Sequence, residues 1–182
     1  MSSPDPAASR LAGAYRRLRG TRAARWAVDL AFVLAAVLLV GAWQTRGHLE
    51  RGTAPSIVLP SLTGERVALD SLRGKQVLVA FWAPWCPVCK AASGNLSWVS
   101  RLAGARARVV TIAAAYEDLA DVRAYVREQG VELPVLLADD GAVRAFRVDS
   151  FPTYYFLDAQ GRVKRSAAGY TTTVGMLLRL LL

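Results

Sequence analysis

The stretch Val77-Leu-Val-Ala-Phe-Trp-Ala-Pro-Trp-Cys86-Pro-Val-Cys89-Lys90 constrains the fold more than any other part of the chain. A nearly unbroken apolar run ends at two cysteines, two residues apart, and a helical pattern begins at once. Such a run suits a central strand covered on both faces. A buried strand, a tight turn and a helix must therefore follow in series, with a redox-capable dithiol at the junction. Cys86 and Cys89 are the only cysteines, so each pairs with the other or with a second molecule. The first sulfur falls at a helix N-terminus, where unpaired N–H groups and the helix dipole favour an anion. That lowers the thiol pKa and makes Cys86 a thiolate near neutral pH. Pro87 fills the first helical turn, where its missing N–H costs nothing.

Competing readings of the pair are weaker. A structural zinc site usually takes four Cys or His ligands, and the chain offers two Cys and His48 alone. No metal held by the protein and no cofactor is expected. The flanking Trp82, Pro84, Trp85 and Pro87 argue against an inert buried pair.

The chain is 182 residues long and 53% hydrophobic, and part of that excess lies in one block. Ala27 to Trp43 carries a single charge, Asp29. With the alanines before it, the block is long enough to cross a bilayer core of about 30 Å. Trp26 and Trp43 bracket it as interfacial aromatics do. Arg10, Arg16, Arg17, Arg19, Arg22 and Arg25 precede the block and keep residues 1–25 in the cytoplasm. Residues 26–43 are then a transmembrane signal-anchor in contact with lipid. A cleaved signal peptide is the competing reading, with Val40-Gly-Ala42 as a small-residue cleavage site, although the block exceeds the usual h-region length. Asp29 lies within a turn of the cytoplasmic end and reaches the interface.

The net charge of +9 does not indicate nucleic acid. The arm's arginines set topology, and the remaining excess is scattered, whereas a nucleic-acid footprint clusters on the folded domain. Export also fits the cysteine usage, since disulfides persist outside the cytoplasm.

Residues 44–55 are polar and read as a linker, leaving 56–182 as the folded domain. Ile57-Val-Leu-Pro and Arg66-Val-Ala-Leu form short strands around Thr63-Gly64. Gln76 to Trp82 is the central strand. Periodicity predicts a helix from Pro87 to about Leu102 with Val88, Ala92, Leu96, Val99 and Leu102 on its core face. Arg108 to Ala114 is a second central strand. Asp118 caps a helix that ends at Gly130. Leu133 to Leu137 is a strand, and Asp139-Asp-Gly opens a short helix ending near Phe146. Thr153 to Leu157 and Arg162 to Ala167 form a hairpin through Asp158-Ala-Gln-Gly161. One of Thr171, Thr172 and Thr173 opens a last, Leu-rich helix. Strands alternating with helices, then a hairpin and a helix, give an α/β sandwich.

Three segments resemble the thioredoxin superfamily, and within it the membrane-anchored TlpA-like or DsbE-like thiol–disulfide oxidoreductases, including the suppressor-of-copper-sensitivity D branch. They are Leu59 to Lys75, matching that group's added amino-terminal hairpin; Phe81 to Lys90; and Val148 to Gly161 with Phe151-Pro152. The resemblance implies a thioredoxin-like fold, a central mixed sheet flanked by helices, with an added hairpin and one preceding transmembrane helix. It implies a cis bond at Pro152, with the backbone of Phe151 pairing with substrate. It also implies protein thiol or disulfide substrates, a transmembrane thiol–electron carrier of the DsbD/CcdA type as partner, and a single-pass inner-membrane location with the folded domain in the periplasm. Two acids of the family pattern are missing. Ala80 stands where thioredoxins carry a buried Asp, and Ala92 where reducers of apocytochrome c carry a Glu. Glu117 and Asp149 are candidate replacements.

The expected chemistry is thiol–disulfide exchange. Cys86 attacks and Cys89, one helical turn deeper, resolves the mixed disulfide. Trp82 and Trp85 either wall the sulfurs or simply pack. Lys90 either adds charge near Cys86 or is a solvated helix residue. A membrane-tethered Cu(I) chaperone is one alternative, since soft thiolates suit Cu(I), but no Met or His lies near the motif. A thiol peroxidase is another, but such enzymes use a lone Cys after Thr and Cys86 follows Trp.

Overall fold

The computed structural model describes residues 22–44 and 52–182. The first part of the basic arm, through residue 21, and residues 45–51 of the expected linker lie outside the described residues. The chain divides into two compact units, Met1–Trp43 and Gln44–Leu182.

Helix α1 spans Arg22–Gln44. Trp26, Val28, Leu30, Phe32, Val33, Leu34 and Leu39 are all exposed on it. Several of its other side chains are outside the described set, and among the described residues no helix is long and apolar enough to cross a membrane.

The second unit contains β1 (Gly52–Thr53), β2 (Val58–Pro60), β3 (Arg66–Ala68), β4 (Gln76–Trp82), helix α2 (Pro87–Ala103), β5 (Ala107–Ala113), α3 (Leu119–Glu128), β6 (Val135–Leu137), α4 (Asp140–Ala145), β7 (Thr153–Leu157), β8 (Arg162–Ala168) and α5 (Thr173–Leu181). Six strands form one sheet in the order β1-β8-β7-β4-β5-β6. β4 pairs in parallel with β5 and antiparallel with β7, so the sheet is mixed. This is the expected thioredoxin-like arrangement. β2 and β3 pair as the expected separate hairpin. That hairpin meets the sheet where Leu62 N donates to the Val135 carbonyl at 2.9 Å.

Alternation along β4 divides the core. Val77, Val79 and Phe81 face a cluster with Ile112, Phe146 and Tyr155. Leu78 and Ala80 face α2 and α5, beside Leu96, Val99, Tyr154 and Met176. Both faces of β4 are covered, as its apolar run requires. Side-chain caps fix three helix starts: Asp118 accepts from Ala120 N, Asp139 from Ala142 N and Thr172 from Gly175 N.

Three expectations need correction. Val88 and Leu102 are exposed rather than core residues of α2. The buried face runs through Cys89, Ala92, Leu96, Val99 and Ala103. That spacing of three and four leaves Val88 and Leu102 each one position, about 100°, off the buried line. Gly52 and Thr53, assigned to the linker, pair with Val163 and Arg162 as an edge strand, and Ala54 is buried. The strand expected over residues 133–137 begins only at Val135.

Candidate active site

Cys86 and Cys89 form a disulfide with Cα atoms 5.2 Å apart. β4 delivers the chain to this point, and Cys86 N donates to the Ala83 carbonyl at 3.1 Å to make the turn. Cys86 is the N-cap of α2, in extended conformation, with Pro87 directly after it. Its sulfur accepts from the backbone N–H of Cys89 at 3.1 Å. A sulfur so placed meets an unpaired helix donor and the positive end of the dipole, which favours the thiolate once the bond is reduced. Both cysteines are 3% exposed, so position rather than exposure separates them.

The surroundings differ. Cys86 Sγ lies 3.6 Å from the carbonyl oxygen of Phe151. The Phe151–Pro152 bond is cis, as the resemblance implies. Pro152 is buried, and its carbonyl accepts from Gly169 N at 2.8 Å. Pro87 is exposed at the rim. Cys89, one turn further, lines a small, partly open pocket of about 20 Å³ together with Ala80, Ser93, Thr111, Tyr125 and Tyr154.

The two tryptophans play different parts. Trp82 is buried and stacks on Tyr125, ring centroids 4.1 Å apart and planes at 22°. Trp85 is 65% exposed. Its ring meets Phe151 edge-on at 5.9 Å, and its indole N–H donates to the Ala115 carbonyl at 2.7 Å. Ala115 holds φ +50°, uncommon for a residue with a side chain. Trp85 also borders an open cleft of about 460 Å³ with Tyr116, Glu117, Asp121 and Glu128.

Lys90 is solvated and pairs with Glu128 at 3.7 Å. Glu117 lines the outer cleft, and Asp149 accepts from the Ser150 hydroxyl on the surface. Neither lines the cavity behind Cys89. Ala80 and Ala92 are both buried, and Ala80 borders that cavity.

Sequence reasoning missed Tyr125 and Tyr154. Burial pushes the Tyr125 phenol up to about 12. Tyr154 is also raised, by burial first and then by Tyr125 and Tyr170. Both tyrosines sit in ordinary core patterns, so only the fold brings them to the dithiol. Among the described residues no group of His, Cys, Asp and Glu is placed to hold a metal.

Comparison with known proteins places this geometry in context. A model of the AhpC/TSA family matches residues 51–166. Thioredoxin-like protein YneN of Bacillus subtilis (strain 168) is 30% identical over 128 residues, 69% of this chain and 75% of that protein. Thiol-disulfide oxidoreductase ResA of the same organism is 28% identical over 124 residues, 68% of this chain and 69% of that protein. A solved thiol:disulfide interchange protein of the thioredoxin family from Chlorobium tepidum TLS superposes with a TM-score of 0.65 at 28% identity, covering 73% of this chain and 96% of that one.

Proposed function

The chain belongs to the AhpC/TSA family, and from that premise we propose how it works as a protein thiol–disulfide oxidoreductase. The observation that carries the reading is the Cys86–Cys89 disulfide at the start of α2, with Cys86 Sγ accepting an amide N–H.

Cys86 is the attacking sulfur. It is the N-cap residue, it borders Phe151, and it lies next to the exposed Trp85 and Pro87. Its thiolate attacks a substrate disulfide and displaces one substrate thiolate. Cys89 then attacks Cys86 Sγ, restores the internal disulfide and releases the second substrate thiol. The Phe151 backbone and the Trp85 ring receive the substrate chain, while Pro152 and Trp82 shape the pocket from behind. The stack of Trp82 on Tyr125 supports that division.

The anchor reading adds a location. Residues 26–43 form a single-pass inner-membrane anchor, residues 1–25 stay cytoplasmic, and the domain from 56 lies in the periplasm. The arginines of the arm and the exposed apolar side chains of α1 support this. A transmembrane thiol–electron carrier of the DsbD/CcdA type then resets the disulfide from the same membrane.

Insulin reduction tests the activity. The reduced chain should cleave insulin's interchain disulfides, and Cys86→Ser should not. Peroxide consumption or tight Cu(I) retention without insulin reduction would replace this reading with one of the alternatives.

A further inference from the structure

Tyr154, which lines the pocket behind Cys89, carries an unpaired polar group. Tyr154 is 1% exposed, and its hydroxyl has no hydrogen-bond partner among the described residues. A buried hydroxyl without a partner is costly, so such groups are normally satisfied by protein or by ordered water. The cavity of about 20 Å³ that Tyr154 shares with Cys89 is large enough for one water molecule.

The polar lining determines how that water is held. Thr111 donates its proton to the Pro134 carbonyl at 3.0 Å, and Ser93 donates to the Lys90 carbonyl at 2.8 Å. Both hydroxyls retain acceptor capacity only. Tyr154 has a proton to give. A water accepting from Tyr154 can donate one proton to Thr111 or Ser93 and the other to the Cys89 sulfur. No Asp, Glu, His or Lys lines the cavity. Among the described residues, the titratable groups packed around Cys89 are Cys86 on its own helix, Tyr125 from α3, Tyr154 from β7 and Tyr116 from the loop after β5.

We infer that the Tyr154 hydroxyl, through one water molecule in this cavity, hydrogen-bonds to the Cys89 sulfur and stabilises the thiolate that resolves the mixed disulfide. Tyr154 is a positioning residue, because it acts through the water. In the step it assists, Cys89 gives up its thiol proton and its sulfur attacks Cys86 Sγ. The Cys86–Cys89 bond forms, the bond from Cys86 to the substrate sulfur breaks, and the substrate sulfur leaves with the electron pair. The proton lost by Cys89 is balanced by the proton gained by the substrate thiol. The inference rests on the proposed roles of the two cysteines.

The test uses the full chain, reduced and held in detergent, with DTNB as probe. The first thionitrobenzoate released reports attack by Cys86, and the second reports resolution by Cys89. Tyr154→Phe should leave the first phase unchanged. It should slow the second about tenfold at pH 7 and raise its pH midpoint by about one unit, as expected for losing one hydrogen bond to a charged sulfur. Ala80→Val, which fills the cavity and keeps the hydroxyl, should slow the same phase. A second phase that keeps its parental rate in either variant overturns the inference, as does equal slowing of both phases. So does a melting temperature for Tyr154→Phe about 4 °C or more above the parent, which would mean that the hydroxyl had no partner to lose. Failure of the cysteine roles is read separately, on chains that keep Tyr154: the probe adduct would then form on Cys89.

Discussion

The sulfur of Cys86 lies 3.6 Å from the carbonyl oxygen of Phe151, although 65 residues separate them in the chain. β4 ends at Trp82, one turn before the first, and β7 begins at Thr153, just after the second, and these strands pair antiparallel at Phe81–Thr153. The Cys86 sulfur thus meets an amide donor from its own helix and a carbonyl from the opposite loop. The donor and the dipole favour charge on sulfur, so the Cys86 thiol should titrate below the ordinary cysteine value. Thiolate absorbance against pH on the reduced chain measures this. A Cys86 that ionises at or above the ordinary value would contradict the helix-terminus account.

Trp82 and Trp85 should respond differently to truncation. Trp82→Ala removes a buried ring stacked on Tyr125 and should cost about 3–5 kcal/mol in denaturant unfolding. Trp85→Ala removes an exposed ring with one hydrogen bond, so its cost should stay within about 1.5 kcal/mol. Its main effect should be on substrates. Insulin reduction should fall several-fold while reaction with DTNB stays near the parental rate. Equal losses on both substrates would remove Trp85 from the substrate-receiving surface.

Alkaline pH should destabilise the domain through Tyr125. Its phenol is held at about 12 by burial in the folded state, against 10.0 for the ordinary side chain. The folded state therefore keeps a proton that the unfolded state loses. That contribution is fully present below pH 10 and is lost as pH rises towards 12. Denaturant midpoints taken across that window should fall, and Tyr125→Phe should flatten the fall. A midpoint that holds constant from pH 10 to 12 would place Tyr125 in water.

The membrane assignment yields its own outcome. A reporter enzyme fused after Leu182 should be active only in its exported form, and the arm through Arg25 should resist externally added protease. Recovery of a soluble chain beginning near Trp43 would support the cleaved-signal reading.

Much of this architecture was legible in the residues, for local reasons. The run from Gln76 to Trp82 had to be a doubly covered strand. Asp118 was readable as a cap because a short acceptor side chain at a helix start satisfies an otherwise unpaired N–H. The turn at Asp158 was legible in the same way, since its carboxylate accepts from Gln160 N and Arg162 N. What escaped the sequence depends on distant pairing. Gly52 and Thr53 look like linker because two residues carry no pattern, yet they pair with β8 as the sheet's edge strand. Val88 and Leu102 fit an apolar stripe, but the stripe begins at Cys89, and only the turn after β4 sets that phase. Tyr154 reads as an ordinary strand residue. Its pairing with Ala80 brings it to the pocket behind Cys89.

The division of labour between the two sulfurs is tested most directly by trapping the intermediate. Cys89→Ser, reduced and mixed with a disulfide-bonded protein, should accumulate a covalent adduct that mass spectrometry places on Cys86, because no second thiol remains to resolve it. Cys86→Ser should accumulate none. An adduct that forms on Cys89 in the Cys86→Ser chain, or full turnover by Cys89→Ser, would contradict the account.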